Sequence, residues 1–391
     1  MSTVYSDEIS AQPEHWTLEP NMIFLNHGSY GATPRVVLAE HTKWRDKLEQ
    51  QPCQFINRHL PGHLDTAIAA LARFVGSAVE AMAFVENATS GVGAILRSLD
   101  FQPGDRIVIT DHIYNAVRQC LLHICERTGA ELDIVTLGLP LSSPEEIVER
   151  MSAAITGREK LVVIDHVASA SAVLMPVDRL VSHCRHLGVP VLVDGAHGPG
   201  MLTLDLDALD ADYYVGNCHK WLCAPKSAAF MRVAERARDK LHPLAISHQY
   251  GRGFPYEFHM IGTRDWSAHL AVPSAIDFHN SLGGAALRER NHRIAIEAGS
   301  RIAAALGTST GAPAAMTGSM VTIAIPRPAD AEPATREEAN RLKDWLWDDH
   351  RIETHVMPFA GKLWVRICIH AYNDLDQTDR LAEVLAQKTG H

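Results

Sequence analysis

Short apolar runs alternate with amphipathic stretches along the first two thirds of the chain. Strand-length runs rich in Val, Leu and Ile lie at 83–85, 106–110, 132–137, 161–164 and 189–193. Helical patterns follow several of them, at 89–99, 114–128 and 177–187. Apolar runs without polar alternation are typical of strands buried on both faces of a parallel sheet. We therefore expect an α/β domain with a doubly wound, mostly parallel sheet.

One further helix is predicted from its start signals. Ser143 could cap it, Pro144 suits the first helical position, and Glu146 would complete a capping box. Beyond residue 266 the regular alternation is lost. Two long helical patterns (268–282 and 285–306), short strands (320–325, 352–356 and 363–369) and a final helix (375–387) follow. This order predicts a large domain over 22–265 and a smaller α+β domain formed by 1–21 and 266–391.

Composition narrows the class of partner. The 391 residues are 46% hydrophobic and 21% charged, with 36 Lys and Arg against 46 Asp and Glu, so the net charge is −10. This balance excludes a disordered chain and disfavours nucleic-acid or anionic-membrane partners. No apolar run approaches the roughly 20 residues that span a bilayer. We expect a soluble protein that acts on small molecules.

The cysteines and histidines favour neither disulfides nor a metal. Seven cysteines form an odd set without a framework, and no apolar leader follows Met1, so we expect a reducing, cytoplasmic location. The Cys and His residues show no four-ligand spacing, and no bound metal is expected.

The strongest chemical signal joins Asp194 to Lys220. Asp194 ends a buried strand, which is where open α/β sheets bind ligands. Lys220 follows a second short strand and stands between a histidine and a tryptophan. Alone, the aspartate would be interpreted as a turn residue and the lysine as a solvated amine. Together they indicate a desolvated amine able to form a Schiff base.

These residues belong to a wider set of motifs, NHGSYG (26–31), ENATS (86–90), TDHIY (110–114), VDGAH (193–197), HKW (219–221) and GTRD (262–265). From about residue 21 to the final helix, the chain resembles fold-type I pyridoxal-phosphate enzymes of the aminotransferase class V branch, especially the isopenicillin N epimerase-like group. The resemblance implies a seven-stranded, mostly parallel sheet, pyridoxal 5′-phosphate as cofactor, and a homodimer with active sites at the subunit interface.

The resemblance also implies roles around the cofactor ring. Asp194 matches the carboxylate that holds the pyridinium nitrogen, and Lys220 matches the lysine that binds the cofactor and moves the α-proton. His197, with Ser169, matches positions at the ring oxygen. The residues expected at the phosphate are Ala88, Thr89, Ser90, Asn217, His219 and, across the subunit interface, Thr263. The first three open a predicted helix, whose N-terminus favours an anion.

Further positions concern the substrate. By resemblance His112 stacks on the ring, and Tyr114 is either a proton donor or the cap of the next helix. Arg366 matches the arginine that binds the α-carboxylate in a bidentate geometry. Asn26 and His27 resemble positions near the substrate.

The reaction type stays open between three chemistries. We rank amino-acid epimerisation or racemisation first, carbon–sulfur β-elimination second and transamination third. Epimerisation needs a second acid opposite Lys220, with His27, His112 and Tyr114 as candidates. The stretch 355–363 lacks the cysteine that carries persulfide in class V desulfurases, which disfavours that chemistry. The aromatic, glycine-rich segment 248–256 is either a side-chain pocket or a surface loop.

Overall fold

The computed structural model describes residues 11–328 and 330–390. Its strands are β1 (Ile23–Phe24), β2 (Met82–Val85), β3 (Arg106–Thr110), β4 (Glu131–Val135), β5 (Leu161–Asp165), β6 (Val191–Asp194), β7 (Tyr213–Asn217), β8 (Ala229–Val233), β9 (Met320–Ile325), β10 (Ile352–Glu353), β11 (His355–Phe359) and β12 (Lys362–Cys368).

The helices are α1 (His27–Tyr30), α2 (Arg35–Gln50), α3 (Pro52–Gln54), α4 (Leu60–Val75), α5 (Ala88–Ser98), α6 (Asn115–Thr128), α7 (Pro144–Ala154), α8 (Val177–Leu187), α9 (Leu206–Leu209), α10 (Tyr256–His259), α11 (Ser267–Leu270), α12 (Val272–Ser281), α13 (Ala285–Ala305), α14 (Arg336–His350) and α15 (Leu375–Thr389).

A seven-stranded sheet forms the centre of the described chain. Its order is β2-β8-β7-β6-β5-β3-β4, and β8 alone runs antiparallel to its neighbours. Every residue of β5 and β6 is buried, as expected for strands covered by helices on both faces. The prediction of a doubly wound, mostly parallel seven-stranded sheet is confirmed.

Smaller sheets lie in the C-terminal part of the chain. Strands β11, β12 and β9 form an antiparallel sheet, on which α13 and α14 pack. Strand β1 pairs in parallel with β10, so the N-terminal segment joins the C-terminal part. Helix α12 packs against α2 and α4. The domain boundary at 265 and 266 stays a prediction. No helix in the ranges described is long and apolar enough to cross a bilayer.

Several predicted elements need correction. The predicted helix over 268–282 is two helices, α11 and α12, with Pro273 in the first turn of α12, where a residue without an N–H starts a helix. The predicted strand over 352–356 is interrupted at Thr354, whose hydroxyl donates to the Arg366 carbonyl. Ser143 makes no side-chain cap hydrogen bond; Glu146 instead accepts from the backbone and hydroxyl of Ser142.

Candidate active site

Asp194 and Lys220 meet at one edge of the large sheet. Asp194 ends β6, and Lys220 follows the end of β7, the next parallel strand. The two side chains are 3% and 8% exposed, respectively. The charge of the Asp194 carboxylate raises the pKa of Lys220 through space, but the two groups form no ion pair within the described residues. A buried amine and a buried carboxylate therefore face one site without contacting each other.

Hydrogen bonds define the proton state of the amine. Lys220 Nζ lies 3.1 Å from His197 Nε2, and the Trp221 indole N–H donates to His197 Nδ1 over 3.1 Å. An indole nitrogen is a donor only, so Nδ1 must be the unprotonated nitrogen of a neutral imidazole. Burial holds the pKa of His197 well below its usual value, which keeps the ring neutral. The remaining proton is on Nε2, and Nε2–H donates to Nζ.

This contact requires Lys220 to be a neutral amine, because an ammonium group offers no lone pair. Burial lowers the pKa of Lys220 to about 8, against the opposing effect of Asp194. Geometry and electrostatics both shift Lys220 toward the free amine, and a pKa of about 8 leaves about one tenth of it neutral at pH 7, far more than an exposed lysine would have. The free amine is the form that attacks a carbonyl or accepts a proton.

A second buried carboxyl group, Asp165, lies beside Asp194. It ends β5 and is the register partner of Asp194 in the parallel sheet. Its Oδ1 accepts from the backbone N–H of Tyr114 over 3.1 Å. Asp165 is not among the residues predicted for the site, although it directly follows the apolar run 161–164, as Asp194 follows its own strand.

The N-terminus of α5 is fixed close to the lysine. Asn87 caps the helix, with its Oδ1 accepting from the Ser90 N–H over 2.8 Å. Asn217, at the end of β7, accepts from the Ala88 N–H over 2.9 Å and so ties the helix to the strand that precedes Lys220. Thr89 lies exposed in the first turn. The positive end of an eleven-residue helix is a ready anion site.

His219 and Thr263, which are also predicted to bind the phosphate, lie in different surroundings. His219 donates from Nδ1 to the Ala228 carbonyl over 3.2 Å, and burial lowers its pKa to about 4. Its Nε2 is consequently unprotonated at neutral pH. Thr263 is exposed, and its neighbour Arg264 forms an ion pair with Glu86, one residue before the α5 cap.

His112 and Tyr114 follow β3 at the same sheet edge. His112 donates from Nε2 to the Gly138 carbonyl over 2.9 Å, so its Nδ1 accepts from the Ser171 hydroxyl over 2.7 Å. Both ring nitrogens are therefore engaged. Tyr114 is the residue before α6 and is 42% exposed, with its ring centre 5.9 Å from Lys220 Nζ. Burial raises the pKa of the Tyr114 hydroxyl.

Arg366 is a buried cation that links the small sheet to the large one. From the middle of β12 it donates to the Ser169 carbonyl, to Asn26 Oδ1 (3.0 Å) and to Ser29 Oγ (3.1 Å). Its Nε–H has no partner among the residues described. Asn26 is itself held by Glu353 over 2.8 Å. The guanidinium is thus fixed in place with a donor left for an anion. The Ser169 carbonyl supports Arg366, and the expected place of its side chain at the ring oxygen stays a prediction.

His27 holds the lysine backbone. It is fully buried and donates from Nε2 to the Lys220 carbonyl over 3.0 Å, and its Nδ1 accepts from the Tyr372 hydroxyl over 2.6 Å. Its predicted contact with substrate stays a prediction. Cys223 and His370 lie beside it, with Cys223 Sγ 3.4 Å from His370 Nε2. The proximity of these three side chains could not be predicted from their spacing in the sequence.

Residues 56–336 match the family Aminotransferase class-V. The chain belongs to this family. Isopenicillin N epimerase of Amycolatopsis lactamdurans is 34% identical, with 96% of this chain and 97% of the relative covered. L-Cysteine desulfhydrase of Arabidopsis thaliana is 30% identical, with 93% and 87% covered. The solved complex of the cystine C-S lyase C-DES with cysteine persulfide shares the fold, with a TM-score of 0.79 at 21% identity and coverage of 94% and 98%.

The family confirms the resemblance found in the sequence, and with it the enzyme class and the cofactor, pyridoxal phosphate. The residues present fit that group. Asp194 and Lys220 face one site without contacting each other, and the α5 N-terminus offers an anion site beside them. Relatives include both epimerases and desulfhydrases, so the comparisons leave the choice between the first two ranked reactions open.

Proposed function

We propose that this class V enzyme catalyses β-elimination of a thiol from a cysteine-like L-amino acid, releasing the thiol, ammonia and pyruvate. Bound pyridoxal phosphate supplies the electron sink that accepts the electrons left when the α-proton departs. The observation that favours elimination over epimerisation is the hydrogen bonding of the candidate histidines. Two of the three candidates for a second acid, His27 and His112, have both ring nitrogens in hydrogen bonds.

Reversible epimerisation needs groups on both faces of the substrate that can each donate and accept the α-proton. Tyr114 is the remaining candidate, and its raised pKa keeps the hydroxyl protonated, so little phenolate is present to accept the α-proton. A tyrosine hydroxyl is suited to donating a proton instead. In elimination that proton goes to the departing sulfur, while Lys220 takes the α-proton. One base and one acid therefore suffice, and both are present at the sheet edge.

The other residue roles follow from the same site and are part of this proposal. Arg366 binds the substrate carboxylate through its free Nε–H and its Nη groups, with Asn26 beside it. Asp194 holds the pyridine nitrogen, His197 donates to the ring oxygen, and His112 lies against the ring. The phosphate is held by Ala88, Thr89, Ser90, Asn217, His219 and Thr263, and Ser169 shares the ring-oxygen site with His197.

We further propose a homodimer in which Thr263 reaches the partner's phosphate site. The exposure of Thr263 and of large aromatic side chains in the preceding segment, such as Tyr250 and Tyr256, supports a covered surface there. A cytoplasmic location is supported by seven free cysteines. Sedimentation of the enzyme, and loss of cofactor affinity in Thr263→Ala, would test the dimer.

The reaction is tested with single amino acids in deuterated water. Elimination predicts sulfide, ammonia and pyruvate from L-cysteine. Inversion at Cα without release of a thiol would overturn it in favour of epimerisation, and a keto acid that keeps its side chain would point to transamination.

A pair of tyrosine variants tests the assigned acid. Tyr114→Phe should lower pyruvate formation about 100-fold, the range of a lost general acid, while Cα–deuterium exchange persists. Tyr213→Phe is the matched control, because that hydroxyl bonds the Ala237 carbonyl. Equal loss of both reactions in Tyr114→Phe would contradict the role.

A further inference from the structure

Asp165 and Asp194 form a buried carboxyl pair at the sheet edge. They end neighbouring parallel strands and are register partners, so both side chains project from the same face of the sheet. Both are almost fully buried. Two buried carboxylates at paired positions of neighbouring strands cannot both ionise without a large electrostatic cost.

The two carboxyl oxygens of Asp165 differ in their hydrogen bonds. Its Oδ1 accepts from the Tyr114 backbone N–H, but its Oδ2 is buried and finds no donor in the described chain. An ionised carboxylate has acceptors only, so this buried oxygen would carry charge with no donor near it among the described residues. A protonated carboxyl places an O–H there instead. Asp194, whose Oδ1 accepts from the Ala196 N–H, supplies the acceptor on the next strand.

We propose that Asp165 is a positioning residue that carries a proton at neutral pH and donates it, from Oδ2, in a hydrogen bond to the Asp194 carboxylate. Asp194 then remains the charged member of the pair, with its carboxylate oriented for the pyridine nitrogen. This positioning role of Asp165 rests on the proposed role of Asp194 at the pyridine nitrogen. It does not depend on which reaction the enzyme catalyses.

Electrostatics act in the same direction. Burial, and then the Asp194 charge, raise the pKa of Asp165 well above its usual value, while the Tyr114 N–H and Lys220 oppose this. Burial also raises the pKa of Asp194. A hydrogen bond donated to Asp194 favours its ionised form and offsets that effect. The same carboxyl group fixes the Tyr114 backbone, so one residue serves both the cofactor carboxylate and the proposed acid.

Infrared difference spectroscopy tests the proton directly. Apoenzyme at pH 7, compared with Asp165→Asn, should show the carbonyl band of a protonated carboxylic acid that shifts in deuterated water. Asp100→Asn is the matched control, because that exposed carboxylate should contribute no such band. Absence of the band in wild-type enzyme would overturn the proposal, whatever the activity of the holoenzyme.

Cofactor affinity tests the positioning role. Asp165→Leu removes both contacts and should weaken pyridoxal-phosphate binding about 30-fold, since hydrogen bonds to charged groups are among the stronger ones. Asp165→Asn keeps an acceptor for Tyr114 and a donor for Asp194, and should restore affinity to within about threefold of wild type. Equal loss in both variants would refute the neutral-donor role. If the leucine variant does not fold, the infrared band and the asparagine affinity still decide.

Asp194→Asn separates the two assignments. If Asp194 holds the pyridine nitrogen, this variant should lose cofactor affinity and shift the absorbance of the bound cofactor. Unchanged affinity would refute the role of Asp194, whereas a missing wild-type acid band refutes only that of Asp165.

Discussion

Hydrogen bonds connect Trp221 through His197 to Lys220, and replacing Trp221 tests whether they set the proton state of the lysine. In Trp221→Phe the donor to His197 Nδ1 is gone, so the imidazole can place its proton on Nδ1 and present a lone pair at Nε2. That lone pair accepts from the ammonium form of Lys220. The substitution therefore converts a contact that favours the neutral amine into one that favours the charged amine.

The size of the effect follows from one hydrogen bond. A buried neutral hydrogen bond contributes about 1–1.5 kcal/mol, which corresponds to about one pKa unit. With the pKa of Lys220 at about 8 in the native site, the variant should shift to roughly 9. At pH 7 the neutral fraction would then fall from about one tenth to about one hundredth. Apoenzyme should combine with pyridoxal phosphate about tenfold more slowly at pH 7, and the two rates should converge above pH 10.

Stopped-flow absorbance of cofactor uptake as a function of pH measures this shift. Trp266→Phe is the matched control, because Trp266 is equally buried and its indole N–H has no hydrogen-bond partner among the described residues. The control should lower the free energy of unfolding without moving the pH midpoint of cofactor uptake. A midpoint in Trp221→Phe that stays at the wild-type value, or moves to lower pH, would refute the tautomer argument.

Three further predictions concern other parts of the site. Arg366→Lys should raise KM for the amino acid about 30-fold with a smaller change in kcat, because an ammonium cannot reproduce the planar set of donors; steady-state thiol release measures both. Cofactor binding should take up a proton at His219, whose Nε2 must become protonated to donate to a phosphate, so affinity should fall as pH rises; calorimetry in two buffers should show this uptake in wild type and not in His219→Asn. Arg264→Met should lower the free energy of unfolding by about 1 kcal/mol in urea titrations, a modest loss because Glu86 is partly exposed and can be solvated.

Strands and helices with a clear local pattern could be located from the sequence. Asp194 follows an unbroken apolar run and Lys220 follows a short strand, so each strand end could be located from its own segment, but their chemical role was indicated only by the two together. The regular alternation of strands and helices likewise predicted the large sheet. It did not predict β8, because Arg232 interrupts the apolar run; in the fold this arginine is buried and donates to the Ala211 carbonyl. Helix α2 was missed because it buries little beyond Val37, which leaves almost no apolar stripe to detect.

Contacts distant in sequence could not be predicted from local patterns. Arg366 is 340 residues from Asn26 and 197 from Ser169, and only the packing of the small sheet against the large one brings them together. The importance of Asp165 depends on strand register, which pairs it with Asp194. The position of each residue was visible in the sequence, but the partner that gives it a function was not.

Before any cofactor binds, the site's histidines are neutral and act by fixing donors and acceptors. Each has its ring proton fixed by a hydrogen bond. In His27, His112 and His219 a backbone carbonyl accepts that proton. In His197 the indole donor of Trp221 occupies Nδ1 and leaves the proton on Nε2. Burial lowers the pKa of all four. Burial lowers the pKa of Lys220 to about 8, which suits this amine to the proton transfer at Cα that the proposed function assigns to it. Two of the histidines contact it directly, His27 at its carbonyl and His197 at its Nζ.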